Sequence, residues 1–266
     1  DVKFDVDELM DILRDKRHEG WVLAAYPDPK TAQPLIGAGF SLDLPARPHP
    51  QRDPLNPNPF IEPPSAELWQ AAGLPPAKLQ AILSDFYSHL DADGKKGFRK
   101  QIRSLDPQIT EDDANALLRV GIIQAALNAK AYCRYFDQMT PHQQMAMTQL
   151  VYQMGINLEQ FSTFLGLINQ DASIEAFARH DKAYWHDVQM SLAHSQWARL
   201  YRVRATAVIA MLDPRYDRSP NAAEHTMAAV LHPGRGHRAH RASVRNASLT
   251  RHHATHAKHR RGSRKE

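Results

Sequence analysis

The chain has 266 residues, 42% hydrophobic and 23% charged, with a formal net charge of +4. These are values of an ordinary globular protein with enough chain to bury a core. No apolar run approaches the ~18–20 residues of a spanning helix, which excludes an integral helical membrane protein as the chain stands. Cys133 is the single cysteine, so intramolecular disulfides and multi-cysteine metal sites are excluded, while the compartment stays open. The first residue is Asp1 and not methionine, which reads as a removed leader or a trimmed chain. Charge is unevenly placed: residues 221–266 carry ten Lys and Arg against two Glu, a balance of +8, which leaves −4 for residues 1–220.

Val6, Leu9, Met10 and Leu13 stand at i, i+3, i+4 and i+7 and predict an opening amphipathic helix. Lys16, Arg17 and His18 suit its negative end. Glu19 does not, because a carboxylate there meets unpaired carbonyls at a cost of about 0.3–1 kcal/mol. Residues 21–26 and 35–42 read as two strands about the turn Pro27-Asp28-Pro29, a small β-element and not a large sheet. Glu19 and Asp28 thus flank a hairpin with eight residues between them. Hydrolysis of a sugar–sugar bond needs such a pair, one carboxyl protonated for the leaving oxygen and the other ionised to activate water. A solvated glutamate at a frayed helix end fits the same residues, and spacing alone leaves both readings open.

Residues 45–76 hold ten of the eighteen prolines and read as an extended, irregular insertion with one short helix over 65–72. Helices dominate afterwards. Leu79, Ile82, Leu83, Phe86 and Leu90 share one face; Thr110 with Asp113 caps a helix expected to reach Tyr135. Thr140-Pro141 opens another that Gly155 closes, and Ser173 and Gln196 begin two more, the last ending before Asp213-Pro214. The expected class is α+β and predominantly helical, with a domain over 1–219. Residues 220–266, rich in His, Arg, Ser, Gly and Ala, bury too little apolar surface to offset their ordering entropy and are expected to be disordered.

Several segments in order resemble the phage-type lysozymes, glycoside hydrolase family 24. They are Glu19-Gly20, Tyr26-Pro27-Asp28 and Ile36-Gly37-Ala38-Gly39, then Ile109-Thr110-Glu111-Asp112-Asp113-Ala114, Val151-Tyr152-Gln153-Met154-Gly155, Ser195-Gln196-Trp197 and Arg204-Ala205. Residues 19–41 and about 103–212 are covered. The resemblance implies a lysozyme-like fold and cleavage of the β-1,4 bond between N-acetylmuramic acid and N-acetylglucosamine, with Glu19 as acid and Asp28 as the partner that orients water. It implies that Arg204 pairs with Glu19, that Tyr152 and Gln153 form a cleft floor, and that Gly39 of the return strand is a supporting residue. No metal or other cofactor is required. The family places a threonine six residues after the aspartate, where this chain has Pro34, or Leu35 if the glycines are aligned. Thr31 is the nearby hydroxyl that substitutes if the hairpin carries an insertion.

Rival sites are weaker. Asp91-Ala92-Asp93-Gly94 begins like a calcium loop, but Lys95, Lys96 and Ile102 stand where it needs a ligand, a glycine and a bidentate carboxylate. His252, His256 and His259 share a helical face suited to a transition metal, against the alternative of a solvated polycation. Asn246-Ala247-Ser248 fits a glycosylation sequon by three residues alone. Tyr132, Tyr135 and Phe136 suit sugar stacking, although core packing is the commoner fate of such a cluster.

The sequence therefore reads as a monomeric, secreted or periplasmic lysozyme acting on peptidoglycan or a related polysaccharide. Its basic tail is expected to meet an anionic wall or membrane surface and no specific nucleic acid. The alternatives are a non-catalytic wall-binding protein on the same fold and a chitosanase-like glycosidase.

Overall fold

Asp5 starts the first helix by accepting the Asp7 amide, and α1 (Val6–Arg14) buries Leu9, Met10 and Leu13, the stripe read from the sequence. The computed structural model describes residues 2–15, 21–50 and 53–234. Strands β1 (Val22–Pro27), β2 (Pro34–Gly37) and β3 (Phe40–Ser41) form an antiparallel sheet in the order β1-β2-β3. The single strand expected over 35–42 is thus two. Gly37 and Gly39 take φ of 63° and 83°, a region glycine enters freely, and fold the chain so that Ile36 pairs with Phe40.

Among the described residues ten α-helices follow: α2 (Ser65–Ala71), α3 (Pro76–Gln101), α4 (Glu111–Tyr132), α5 (Pro141–Met154), α6 (Ser162–Ile168), α7 (Ile174–Ala178), α8 (Lys182–Ala193), α9 (Gln196–Leu200), α10 (Arg202–Ala210) and α11 (Pro220–Leu231). The molecule is α+β and predominantly helical. Reciprocal capping boxes start two of the helices as read, Thr110 with Asp113 for α4 and Thr140 with Gln143 for α5. Gly155 stops α5 at φ 53°. Helix α4 ends at Tyr132, short of Tyr135, because Cys133 turns to an extended conformation. At Gly94, in the calcium-like segment, α3 is broken by a φ of 66° and ψ of 172°.

Two apolar clusters hold the chain. The smaller joins Ile36, Phe40 and Leu42 to Trp69, Leu79, Ile82, Phe86 and Phe98. The larger collects α1, α5, α8 and α10. Helix α4 belongs to both, with Ala114 and Leu117 in the first and Leu118, Ile122 and Ala129 in the second. It is therefore the beam that fixes the hairpin side against the helical side.

The proline-rich insertion is more ordered than its composition suggests. Strands β4 (Arg47–His49) and β5 (Phe60–Glu62) pair antiparallel, and side-chain hydrogen bonds fasten the segment to α4. Asn128 accepts the Ile61 amide at 3.0 Å and donates to its carbonyl at 2.9 Å. Asn56, buried, donates to the Lys130 and Ala131 carbonyls at 2.8 and 3.0 Å.

The boundary at 220 is corrected. Pro220 opens α11 at its first turn, and Met227 and Leu231, four apart, are buried in the larger cluster while Tyr216 reaches Glu224 at 3.1 Å. Two well-placed apolar side chains suffice where the average composition is small and polar. The remainder of the expected tail, 235–266, lies outside the described residues. So do Asn246 and the histidines at 252, 256 and 259. Among the described residues no helix is long and apolar enough to cross a membrane.

Candidate functional site

Asp28 builds the turn it sits in. Its amide donates to the Gln33 carbonyl at 2.8 Å, its carbonyl accepts the Ala32 amide at 3.0 Å, and its carboxylate accepts the amides of Lys30 and Thr31 at 2.7 and 2.9 Å. Ala32 closes the turn at φ 60°, a left-handed conformation that costs a residue with a Cβ about 1–2 kcal/mol. Burial by itself would raise the Asp28 carboxyl. The amides of Thr31 and Lys30, the Thr31 hydroxyl and the charge of Lys95 outweigh it and hold the group below its ordinary value. Asp28 is accordingly a carboxylate throughout the neutral range.

The Thr31 hydroxyl belongs to that turn. It bonds the Asp28 carboxylate and accepts the Gln33 amide at 3.3 Å. Pro34 is buried opposite Pro27 in the β1–β2 ladder, and Leu35 faces Tyr26. Neither brings a polar group to Asp28.

The last turn of α5 lies against the hairpin. Tyr152 donates its hydroxyl hydrogen to the Ala38 carbonyl at 2.8 Å, next to Gly39 in the β2–β3 turn. Gly121 on α4 makes room for the ring, since a Cβ there would meet Tyr152 Cε2 at 3.3 Å. Gln153, the next residue, lines a cleft of about 680 Å³. Among the described residues neither its Oε1 nor its Nε2 finds a hydrogen-bond partner, though both are buried. A buried amide costs about 1–3 kcal/mol when no protein group, water or ligand meets it.

Three parts of the chain meet on this cleft: Lys30 from the Asp28 turn, Gln153 and Met154 from α5, and Trp197, Tyr201 and Arg204 from the α9–α10 corner. Arg204 sits in the first turn of α10 with its guanidinium 5.5 Å from the centre of the Tyr201 ring. Gln153 and Arg204, fifty-one residues apart in the sequence, thus line one cleft, and Lys30 brings the edge of the Asp28 turn to it, while Asp28 and Thr31 themselves are not among its lining residues. Glu19 lies outside the described residues. Compared with protein-family models and with curated proteins, the chain gave no match.

Several cleft residues were not singled out from the sequence. Lys30, Asn157, Gln160 and Tyr201 line it, and only Lys30 carried a signal, as a cation two residues after the candidate base. Trp197 both packs against the larger cluster and lines the cleft. Tyr135 and Phe136 are buried in the larger cluster, with Tyr135 stacked on Phe177 at 5.0 Å, and Tyr132 meets Phe60 edge-on at 5.0 Å. That is core packing, with no face left for a sugar on Tyr135 or Phe136. Among the described residues no group of three His, Cys, Asp or Glu is placed to hold a metal ion.

Proposed function

We propose that the protein is a peptidoglycan hydrolase of the muramidase type on a lysozyme-like fold, cutting the β-1,4 bond between N-acetylmuramic acid and N-acetylglucosamine. The observation that carries the proposal is the cleft itself. Lys30 from the turn of the ionised Asp28 lines it together with Gln153 and Arg204, and the buried Gln153 amide offers both donor and acceptor atoms to a hydroxyl- and amide-rich ligand. Glu19 donates its proton to the leaving glycosidic oxygen. Asp28 accepts a proton from the attacking water, steadied by Thr31, and Arg204 orients Glu19 and holds its charge once the proton has left. A water placed between two carboxyls about 6.5–9.5 Å apart gives inversion at the anomeric carbon.

A secreted or periplasmic location belongs to the same proposal, as does a tether of residues 235–266 on an anionic wall. One observation favours a wall-binding protein without catalysis: Pro34 stands where the family's threonine would hold water, and its ring offers no hydrogen bond. Zymography on purified peptidoglycan, followed by mass spectrometry of products from peptidoglycan and from chitosan, decides among these. Muropeptides with newly formed N-acetylmuramic acid reducing ends are expected from peptidoglycan. Absence of any cleavage supports the binding protein, and cleavage of chitosan alone supports the chitosanase-like alternative.

A further inference from the structure

Helices α9 and α10 meet at a corner that exposes large side chains with apolar surface to solvent. Leu200 is 63% exposed, Val203 60% and Tyr201 41%, three large apolar residues within four positions. Arg199 and Arg202 are interleaved with them and also exposed. Residues 188–212 carry three arginines and no Asp or Glu, so the charge contributed by this stretch is of one sign. Isolated exposed leucines are ordinary, but a contiguous apolar group rimmed by one sign of charge marks an interaction surface.

We propose that this corner docks the protein on an anionic phospholipid surface. The charge pattern selects that partner. Leu200 and Val203 enter the boundary between headgroups and acyl chains, Tyr201 sits at headgroup level with its hydroxyl wet, and Arg199 and Arg202 meet lipid phosphates while their stems add apolar contact. A neutral bilayer would leave the arginines without partners. Leu200 and Tyr201 also line the cleft, so docking at the corner turns the cleft mouth toward the lipid. The inference rests on the corner alone and holds whether or not the cleft cleaves peptidoglycan.

The test places an environment-sensitive fluorophore at Val203→Cys in the full chain, with Gln70→Cys on α2 as the remote exposed control. The native thiol does not interfere, because Cys133 is buried and its pKa is pushed up to about 12 by that burial. Vesicles of equal parts phosphatidylglycerol and phosphatidylcholine are expected to brighten and blue-shift the label at 203 and to leave the label at 70 unchanged. Vesicles of phosphatidylcholine alone should do neither. Leu200→Ser should weaken vesicle binding about tenfold, and Arg199→Gln with Arg202→Gln about fivefold for each arginine removed. If vesicles sediment the protein while the label at 203 stays unshifted, binding runs through the basic tail and the proposal fails. It also fails if neutral vesicles shift the label equally, or if only peptidoglycan does.

Discussion

The hydroxyl of Tyr152 donates to the carbonyl of Ala38 at 2.8 Å, across 114 residues of sequence. This bond joins the end of α5, which carries Gln153, to the turn that returns the hairpin of Asp28. Tyr152→Phe should lower stability by about 0.5–1.5 kcal/mol in urea unfolding. If the proposed hydrolysis is correct, the turnover number should fall by more than this loss of stability explains, because the two walls of the cleft are then less well positioned. An unchanged unfolding midpoint would show that the bond contributes nothing.

Glu19→Gln should abolish cleavage while the protein stays folded, since a neutral amide cannot donate a proton. Turbidity loss of wall suspensions at more than a few per cent of the parent rate would remove Glu19 from the acid's role.

The depressed pKa of Asp28 has a sign that can be checked. Its contribution to stability is fully present above the unfolded value of about 3.9 and is lost as pH falls through the lower folded value. The acid limb of the rate profile should lie below the ordinary carboxylate range for the same reason. Asp28→Asn should flatten the acid end of the stability curve and eliminate turnover. A limb in the wild-type profile that tracks a group titrating well above pH 4 and survives Asp28→Asn would assign the base elsewhere.

His142 behaves in the opposite sense. Its ring lies against Tyr216, with Nδ1 on the carboxylate of Asp217 and Nε2 3.2 Å from Glu8. Burial would lower its pKa, but the hydrogen bonds and charges of Asp217 and Glu8 outweigh burial and raise it. The stability it contributes is therefore fully present below the unfolded value of about 6.5 and lost as pH rises through the folded one. Melting curves from pH 5 to 9 should show a fall across that window that His142→Gln removes, together with its link from α5 to α1. Equal slopes for the two proteins would rule the link out.

Asp53 anchors the insertion by a bidentate pair with Arg134 at 2.9 and 3.0 Å, and Arg134 also donates to the Asp171 carbonyl at 2.8 Å. Both pair members are largely shielded from solvent. Asp53→Asn should cost about 1.5–3 kcal/mol, the range for hydrogen bonds to charged groups. It should also make residues 45–62 the first site of limited proteolysis, while the rest of the body resists. Cleavage no faster than in the parent would mean that the Asn56 and Asn128 bonds hold the insertion unaided.

What the sequence by itself determined is local. The stripe of α1, the capping boxes at Thr110 and Thr140, the glycine stop at 155 and the turn at Asp28 are decided by neighbours within a few residues, and each stands where its pattern put it. The carboxylate turn was legible for the same reason: Asp28 folds it with its own side chain. The tertiary structure decided what depends on partners far along the chain. Strands β4 and β5 are held in place because Asn128 of α4 bonds both backbone groups of Ile61 and Asn56 of the insertion bonds carbonyls at the end of α4, and no pattern within a proline-rich segment announces that. Helix α11 is ordered because Met227 and Leu231 reach a cluster built by other helices, so its composition misled where its position decided. The Gln153 amide, without a hydrogen-bond partner among the described residues, and the exposed corner at Leu200 and Val203 are likewise facts of placement, since solvent access is settled only when every other element has taken its place.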